Sequence, residues 1–167
     1  MCEVHKELHD AAKEVFAAFL SMGKTLGSAE SCTGGLLGAA VTSLPGSSDM
    51  YLGGVVSYAN DVKTALLGVD PDLLLQQGAV NEEVARQMAT GVKEATGAEI
   101  AVAITGIAGP SGGSPEKPVG TVFVCYLDGE NDKVVKYSFE GDRAAIRHQT
   151  VLTVLRELKE FAKLRRH

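Results

Sequence analysis

Tryptophan is absent from the 167-residue chain and aromatic residues make up only 5% of it. Ala, Val, Leu and Gly must therefore fill the core, and such small residues let helices and strands approach closely, as layered α/β folds require. Cysteine is confined to Cys2, Cys32 and Cys125. That is too few and too scattered for a disulfide framework or a zinc site, so a reducing compartment is expected. No apolar run approaches a membrane span. Glu3, His5, Lys6, Glu7, His9 and Asp10 interrupt any apolar run at the N-terminus, so no signal peptide is expected. We therefore expect a cytoplasmic protein with no membrane partner. Basic excess is also missing: the formal net charge is −5, and no global field draws in nucleic acid. The basic run at 163–167 reads as the cationic end of the last helix. The four histidines, His5, His9, His148 and His167, lie near the ends of the chain or on terminal helices. His5 and His9 share a face, but no third ligand accompanies them, so no metal is expected. Repeats, low-complexity tracts and linkers are absent, which leaves a single domain over residues 1–167.

With 45% hydrophobic and 22% charged residues, the composition is that of an ordinary globular protein. Val4, Leu8, Ala12, Val15 and Phe19 recur at helical spacing over residues 3–21, and Gly23 stops that helix. Residues 25–29 form a short strand, 33–44 a helix, and 52–58 a strand. Asn60 caps a helix over 61–68, and Asp70-Pro71 opens another. Asn81 caps a longer helix with Val84, Met88, Val92 and Ala95 on one face, ended by Gly97. The near-continuous apolar run at 100–104 reads as a central strand buried on both faces. Residues 120–127 and 133–139 form a hairpin turning over 128–132, and the last helix starts near Asp142. Its buried stripe is Ile146, Val151, Val154, Leu155, Leu158 and Phe161. This order predicts an α/β fold: three α/β/α layers around a mixed, mainly parallel sheet of about five or six strands. Ligands in such sheets gather at the carboxyl ends of parallel strands. Three loops lie there, one holding Ser31, one spanning 58–63, and one spanning 105–118.

In the first loop, Glu30-Ser31-Cys32-Thr33-Gly34-Gly35 turns from strand to helix. Such a turn exposes a hydroxyl beside free backbone amides, which suit an oxyanion or an anion. The competing reading is that Ser31 or Thr33 only caps the helix. Cys32 is a rival nucleophile if the helix N-terminus lowers its pKa, but no histidine partner is evident and Ser31 is preferred. In the second loop, Lys63 falls in the first turn of its helix. A cation there is disfavoured by the dipole, and with burial its pKa falls toward that of a general base. Tyr58 at the strand end is placed to relay a proton. Otherwise Lys63 points to solvent and pairs with Asp61. In the third loop, Thr105, Gly106, Gly109 and Gly112 let backbone approach a ligand closely. The loop lacks both the P-loop lysine and the helix that a dinucleotide fingerprint needs. Arg143 and Arg147 lie four residues apart at the start of the last helix, where a phosphate would relieve their repulsion. Pairing with Glu140 and Asp142 is the alternative.

Four stretches together, AESCTGG at 29–35, VVSYANDVK at 55–63, AITGIAGPSGGSPEKPVGTV at 103–122 and FEGDRAAIR at 139–147, resemble the CinA C-terminal domain family. Its characterised members include nicotinamide-nucleotide amidohydrolases. The resemblance implies a compact α/β/α fold and a stand-alone form without the extra N-terminal domain of many relatives. It also implies deamidation of nicotinamide mononucleotide in pyridine nucleotide salvage, without cofactor or metal. Ser31 is the implied nucleophile, with Lys63 and Tyr58 as base and relay. Thr105 and the loop glycines would line the nucleotide site and Arg143 would contact the phosphate, with the backbone at Thr33, Gly34 and Gly35 holding the oxyanion in the mechanism expected; Arg147 stays a candidate substrate contact from its spacing alone. A non-catalytic pyridine-nucleotide-binding or regulatory module is the alternative. The expected partner is a small nucleotide, and base rates favour a homo-oligomer, a dimer first.

Overall fold

The computed structural model describes residues 3–129 and 131–164, and side chains over 6–129 and 131–161. His5, Cys2 and the basic run at 163–167 lie outside the described side chains. Among the described residues, six α-helices and five strands follow one another in this order: α1 (Glu3–Met22), β1 (Leu26–Glu30), α2 (Leu36–Thr42), β2 (Tyr51–Val56), α3 (Asn60–Leu67), α4 (Pro71–Gln77), α5 (Glu82–Thr96), β3 (Ile100–Gly106), β4 (Thr121–Asp128), β5 (Asn131–Ser138) and α6 (Arg143–Leu164). The sheet order is β2-β1-β3-β4-β5. β1 pairs in parallel with β2 and β3, whereas β3–β4 and β4–β5 are antiparallel. Four strands thus point one way and β4 alone is reversed, which is the expected mixed α/β sheet.

The alternation within β3 explains the three layers. Ile100, Val102 and Ile104 face α1, α2 and α6, packing with Leu8, Val15, Phe19, Leu37 and Leu155. Ala101 and Ala103 face the other way, with Ala29 and Cys125, against Val84, Met88 and Val92 of α5. The alanine face lets α5 lie close to the sheet. Close approach continues at Gly91, where a Cβ would fall 2.1 Å from the Leu67 carbonyl oxygen. Glycine there lets α3 seat against α5, and α3 carries Lys63. The expected stripe of α6 is buried throughout. On α5, Val84, Met88 and Val92 are buried, but Ala95 is exposed in the last turn.

Several boundaries differ from expectation. Helix α2 begins at Leu36 rather than 33, because Gly34 and Gly35 take positive φ (58° and 93°) and prolong the turn. The cap of α3 is Ala59, in extended conformation, and Asn60 is its first helical residue. Strand β5 begins at Asn131, which pairs with Asp128, so the hairpin connection is shorter than 128–132.

After β1 the chain crosses by α2 to β2. From β2 it crosses on the opposite face, through α3, α4 and α5, to β3 on the other side of β1. The reversal of direction leaves a crevice at the carboxyl ends of β1 and β3, where open α/β sheets bind ligands.

Candidate active site

Strand β1 delivers Ser31 to that crevice. The Ser31 amide donates to the Ile104 carbonyl (3.0 Å), extending the β1–β3 pairing by one step. Helix α3 brings Lys63 from the next loop. Its side chain is 1% exposed. Lys63 Nζ donates to Ser31 Oγ at 3.0 Å, to the Ser57 carbonyl at 2.7 Å and to the Tyr58 carbonyl at 3.3 Å. No carboxylate forms an ion pair with it among the described residues, and Asp61 is not its partner. Burial pushes its pKa below the ordinary lysine value, opposed in part by the Cys32 thiol.

Cys32 is 6% exposed, and burial raises its pKa to about 11. The expected lowering by the helix N-terminus is overridden by desolvation, so the thiol stays protonated and Cys32 is a poor nucleophile.

A cavity of about 270 Å³ opens beside the pair, lined by Ser31, Cys32, Tyr58, Asn60, Lys63, Thr105, residues 106–109, Ser111, Gly112 and Arg143. Ala79 and Val80, from the loop between α4 and α5, complete the wall. Their neighbourhood carried no chemical signal in the sequence. They are held by Thr105, whose buried Oγ1 donates to the Ala79 carbonyl at 2.7 Å. Of the expected residues, Ser31, Tyr58, Lys63, Thr105, Gly106, Gly109, Gly112 and Arg143 thus share one cavity.

The others serve the turn behind it. Thr33 Oγ1 donates to Glu30 Oε2 at 2.6 Å, and the Thr33 carbonyl accepts from Arg147 at 2.8 Å. Thr33, Gly34, Gly35 and Arg147 do not line the cavity. The amides of Gly35, Leu37 and Gly38 donate to the Glu30 carboxylate (3.1, 3.1 and 2.9 Å). The helix-start amides expected to serve an oxyanion are therefore occupied. No backbone carbonyl accepts from the amides of Cys32 or Thr33 among the described residues. The role of Glu30 escaped the sequence reading, although a lone charge ending an otherwise uncharged, wholly buried strand is a signal for one.

Tyr58 is 58% exposed. Its hydroxyl accepts from Arg143 rather than touching Lys63 or Ser31, so the expected relay has no hydrogen-bonded path here. Arg143 also donates to the Gly109 carbonyl at 2.8 Å. It bridges the second and third loops at the cavity rim, with no ion pair to Glu140 or Asp142. Among the described residues no cluster of His, Cys, Asp and Glu suits a metal ion, and no helix is long and apolar enough to cross a membrane.

Comparison with known proteins places this geometry. The family model described as the CinA C-terminal domain matches residues 8–162. A CinA-like protein of Thermotoga maritima is 50% identical over 140 residues, covering 84% of this chain and 34% of that protein. The chain thus spans about a third of the length of the first such relatives. The nicotinamide-nucleotide amidohydrolase PncC of Enterobacter agglomerans is 47% identical over 161 residues, 95% of this chain and 98% of that protein. The crystal structure of a CinA superfamily protein from Klebsiella pneumoniae superposes with a TM-score of 0.90 at 34% identity, over 93% of this chain and 98% of that one. A competence/damage-inducible protein from Agrobacterium tumefaciens gives 0.87 at 40% identity, over 91% and 93%.

Proposed function

Because the chain belongs to the CinA C-terminal domain family, we propose that it deamidates nicotinamide mononucleotide to nicotinate mononucleotide and ammonia, with Ser31 as nucleophile and Lys63 as base. The carrying observation is the buried 3.0 Å contact between Lys63 Nζ and Ser31 Oγ. A neutral amine has two N–H bonds and one lone pair. The carbonyls of Ser57 and Tyr58 take the two N–H groups, which leaves the lone pair for the Ser31 proton.

Ser31 Oγ attacks the carboxamide carbon as its proton passes to Lys63 Nζ. The amide of Cys32, a residue that lines the cavity and whose amide serves no backbone carbonyl among the described residues, receives the oxyanion. Lys63 then returns the proton to the departing nitrogen, the C–N bond breaks, and ammonia leaves an acyl ester on Ser31. Water attacks that ester while Lys63 takes its proton, and Ser31 recovers a proton as nicotinate mononucleotide is released. Arg143 uses two of its five N–H donors on Gly109 and Tyr58. The others serve the phosphate. Tyr58 positions Arg143 rather than relaying a proton, and Ala79 and Val80 give the ring an apolar wall.

Ammonia release from nicotinamide mononucleotide by the purified chain tests the reading, with Ser31→Ala and Lys63→Ala alongside. Both variants should lose nearly all turnover while still binding. Binding without ammonia release by the unaltered chain would favour a non-catalytic nucleotide module instead. Full turnover by Ser31→Ala would remove Ser31 from the mechanism.

A further inference from the structure

Helix α2 lacks a capping side chain of its own, since Gly35 occupies its N-cap. The acceptor comes instead from Glu30, on the far side of the turn that carries Ser31. Glu30 is 2% exposed. Its Oε2 accepts from Thr33 Oγ1, Gly35 N and Leu37 N, and its Oε1 from Gly38 N. Four donors on two oxygens use the capacity of a carboxylate well, and no water is needed to satisfy it.

The backbone of Glu30 is equally fixed. Its carbonyl accepts from Ser57 N at 2.9 Å, and Ser31 N donates to Ile104 at 3.0 Å, so both neighbouring strands grip the chain at this point. A rigid strand end therefore reaches over residues 31–34 and holds the start of α2. Ser31 lies inside that closed ring, and its own carbonyl accepts from Gly34 N at 3.0 Å.

We propose that Glu30 is a positioning residue for Ser31: its carboxylate locks the 31–35 turn onto the end of β1 and so aims the Ser31 hydroxyl at Lys63. The assignment rests on the reading of Ser31 as nucleophile and deepens it. It also explains the two glycines at positive φ. They fold the chain back sharply enough for the amides of α2 to meet a carboxylate that precedes Ser31. Arg147 completes the lock from α6 by holding the Thr33 carbonyl.

Glu30→Gln tests this in the full chain. The amide can accept with its oxygen, but its NH2 must oppose one of the donors now facing Glu30. Two rates are read where circular dichroism shows the variant folded: labelling of Ser31 by a fluorophosphonate, and ammonia release from nicotinamide mononucleotide. Displacing a reacting group by about 1 Å can lower a rate about 100-fold. We expect labelling and kcat to fall by that order while KM changes by less than about threefold, since Glu30 does not line the cavity. Folded Glu30→Gln that labels and turns over like the unaltered chain would reduce Glu30 to a helix cap and overturn the proposal. Should that variant not fold, Thr33→Val removes one donor and keeps the carboxylate. A smaller fall in labelling supports the proposal, and no fall overturns it. Ser31 labelling that depends on Glu30, in a chain releasing no ammonia, would retire the amide substrate and keep the Glu30 assignment.

Discussion

Glu30 and Lys63 are both buried ionisable side chains of one small site, 2% and 1% exposed, yet the fold treats them in opposite ways. Glu30 is surrounded by donors: the amides of Gly35, Leu37 and Gly38 and the Thr33 hydroxyl replace the water it lost. Lys63 meets two carbonyls and a hydroxyl but, among the described residues, no counter-charge. Its charged form is penalised and its pKa falls. A buried charge that is fully satisfied builds structure. One that keeps hydrogen bonds but lacks a counter-charge is held toward its neutral form, which is the form the proposed mechanism uses as the base.

The strongest way to break the comparison is at the reactive member. Lys63→Met, which keeps the length of the side chain and loses the amine, should lower kcat/KM for ammonia release by about 10²–10⁴-fold, with the circular dichroism spectrum retained. Activity within a few-fold of the unaltered chain would remove Lys63 as base. The satisfied member should report on stability as well as on rate. Glu30→Ala strands three amides and a hydroxyl, and urea unfolding should show a loss of about 1–3 kcal/mol. An unchanged denaturation midpoint would mean that solvent replaces the carboxylate.

Acidity sharpens the contrast. The rate should fall as pH drops through the lowered pKa of Lys63, because protonation removes its lone pair. Stability follows the same group. Between that lowered value and the ordinary 10.5 of the unfolded chain, the unfolded state holds the extra proton. The Lys63 contribution to stability therefore rises with pH across this window, and its penalty is complete below the folded value. Lys63→Met should flatten this part of the stability profile, and a profile identical to that of the unaltered chain would refute the assignment. The smallest effect belongs to Cys32. With its thiol at about 11, Cys32→Ala should change kcat by no more than about threefold, and alkylating reagents should leave ammonia release by the native chain unchanged at neutral pH.

Much of the architecture was legible because hydrophobic period reports burial directly. The stripes of α1, α5 and α6, the double-faced run of β3 and the β4–β5 hairpin follow from side-chain spacing. Where boundaries moved, a local geometry outweighed the pattern. Gly34 and Gly35 hold back the start of α2, and Ala59 caps α3 although Asn60 has the better capping side chain. In the site, the odd placement of Lys63 marked it for chemistry, and Arg143 and the third-loop glycines do share its cavity. Arg147 and Thr33 carried the same signs but were spent on the turn. Ala79 and Val80 carried none, because an apolar wall looks like any other apolar loop.

Residue type and spacing alone determined the α/β layering, the three loops that gather at the strand ends, and the presence of a serine and a lysine among them. Those are local properties, set by period, turn chemistry and charge. Only the tertiary structure decided that Lys63 reaches Ser31 at 3.0 Å, that the Tyr58 hydroxyl turns to Arg143, and that the Glu30 carboxylate fills the start of α2. Each of those choices depends on how strands β1, β2 and β3 are ordered in the sheet. Strand order brings together residues tens of positions apart, and no spacing along the chain records it.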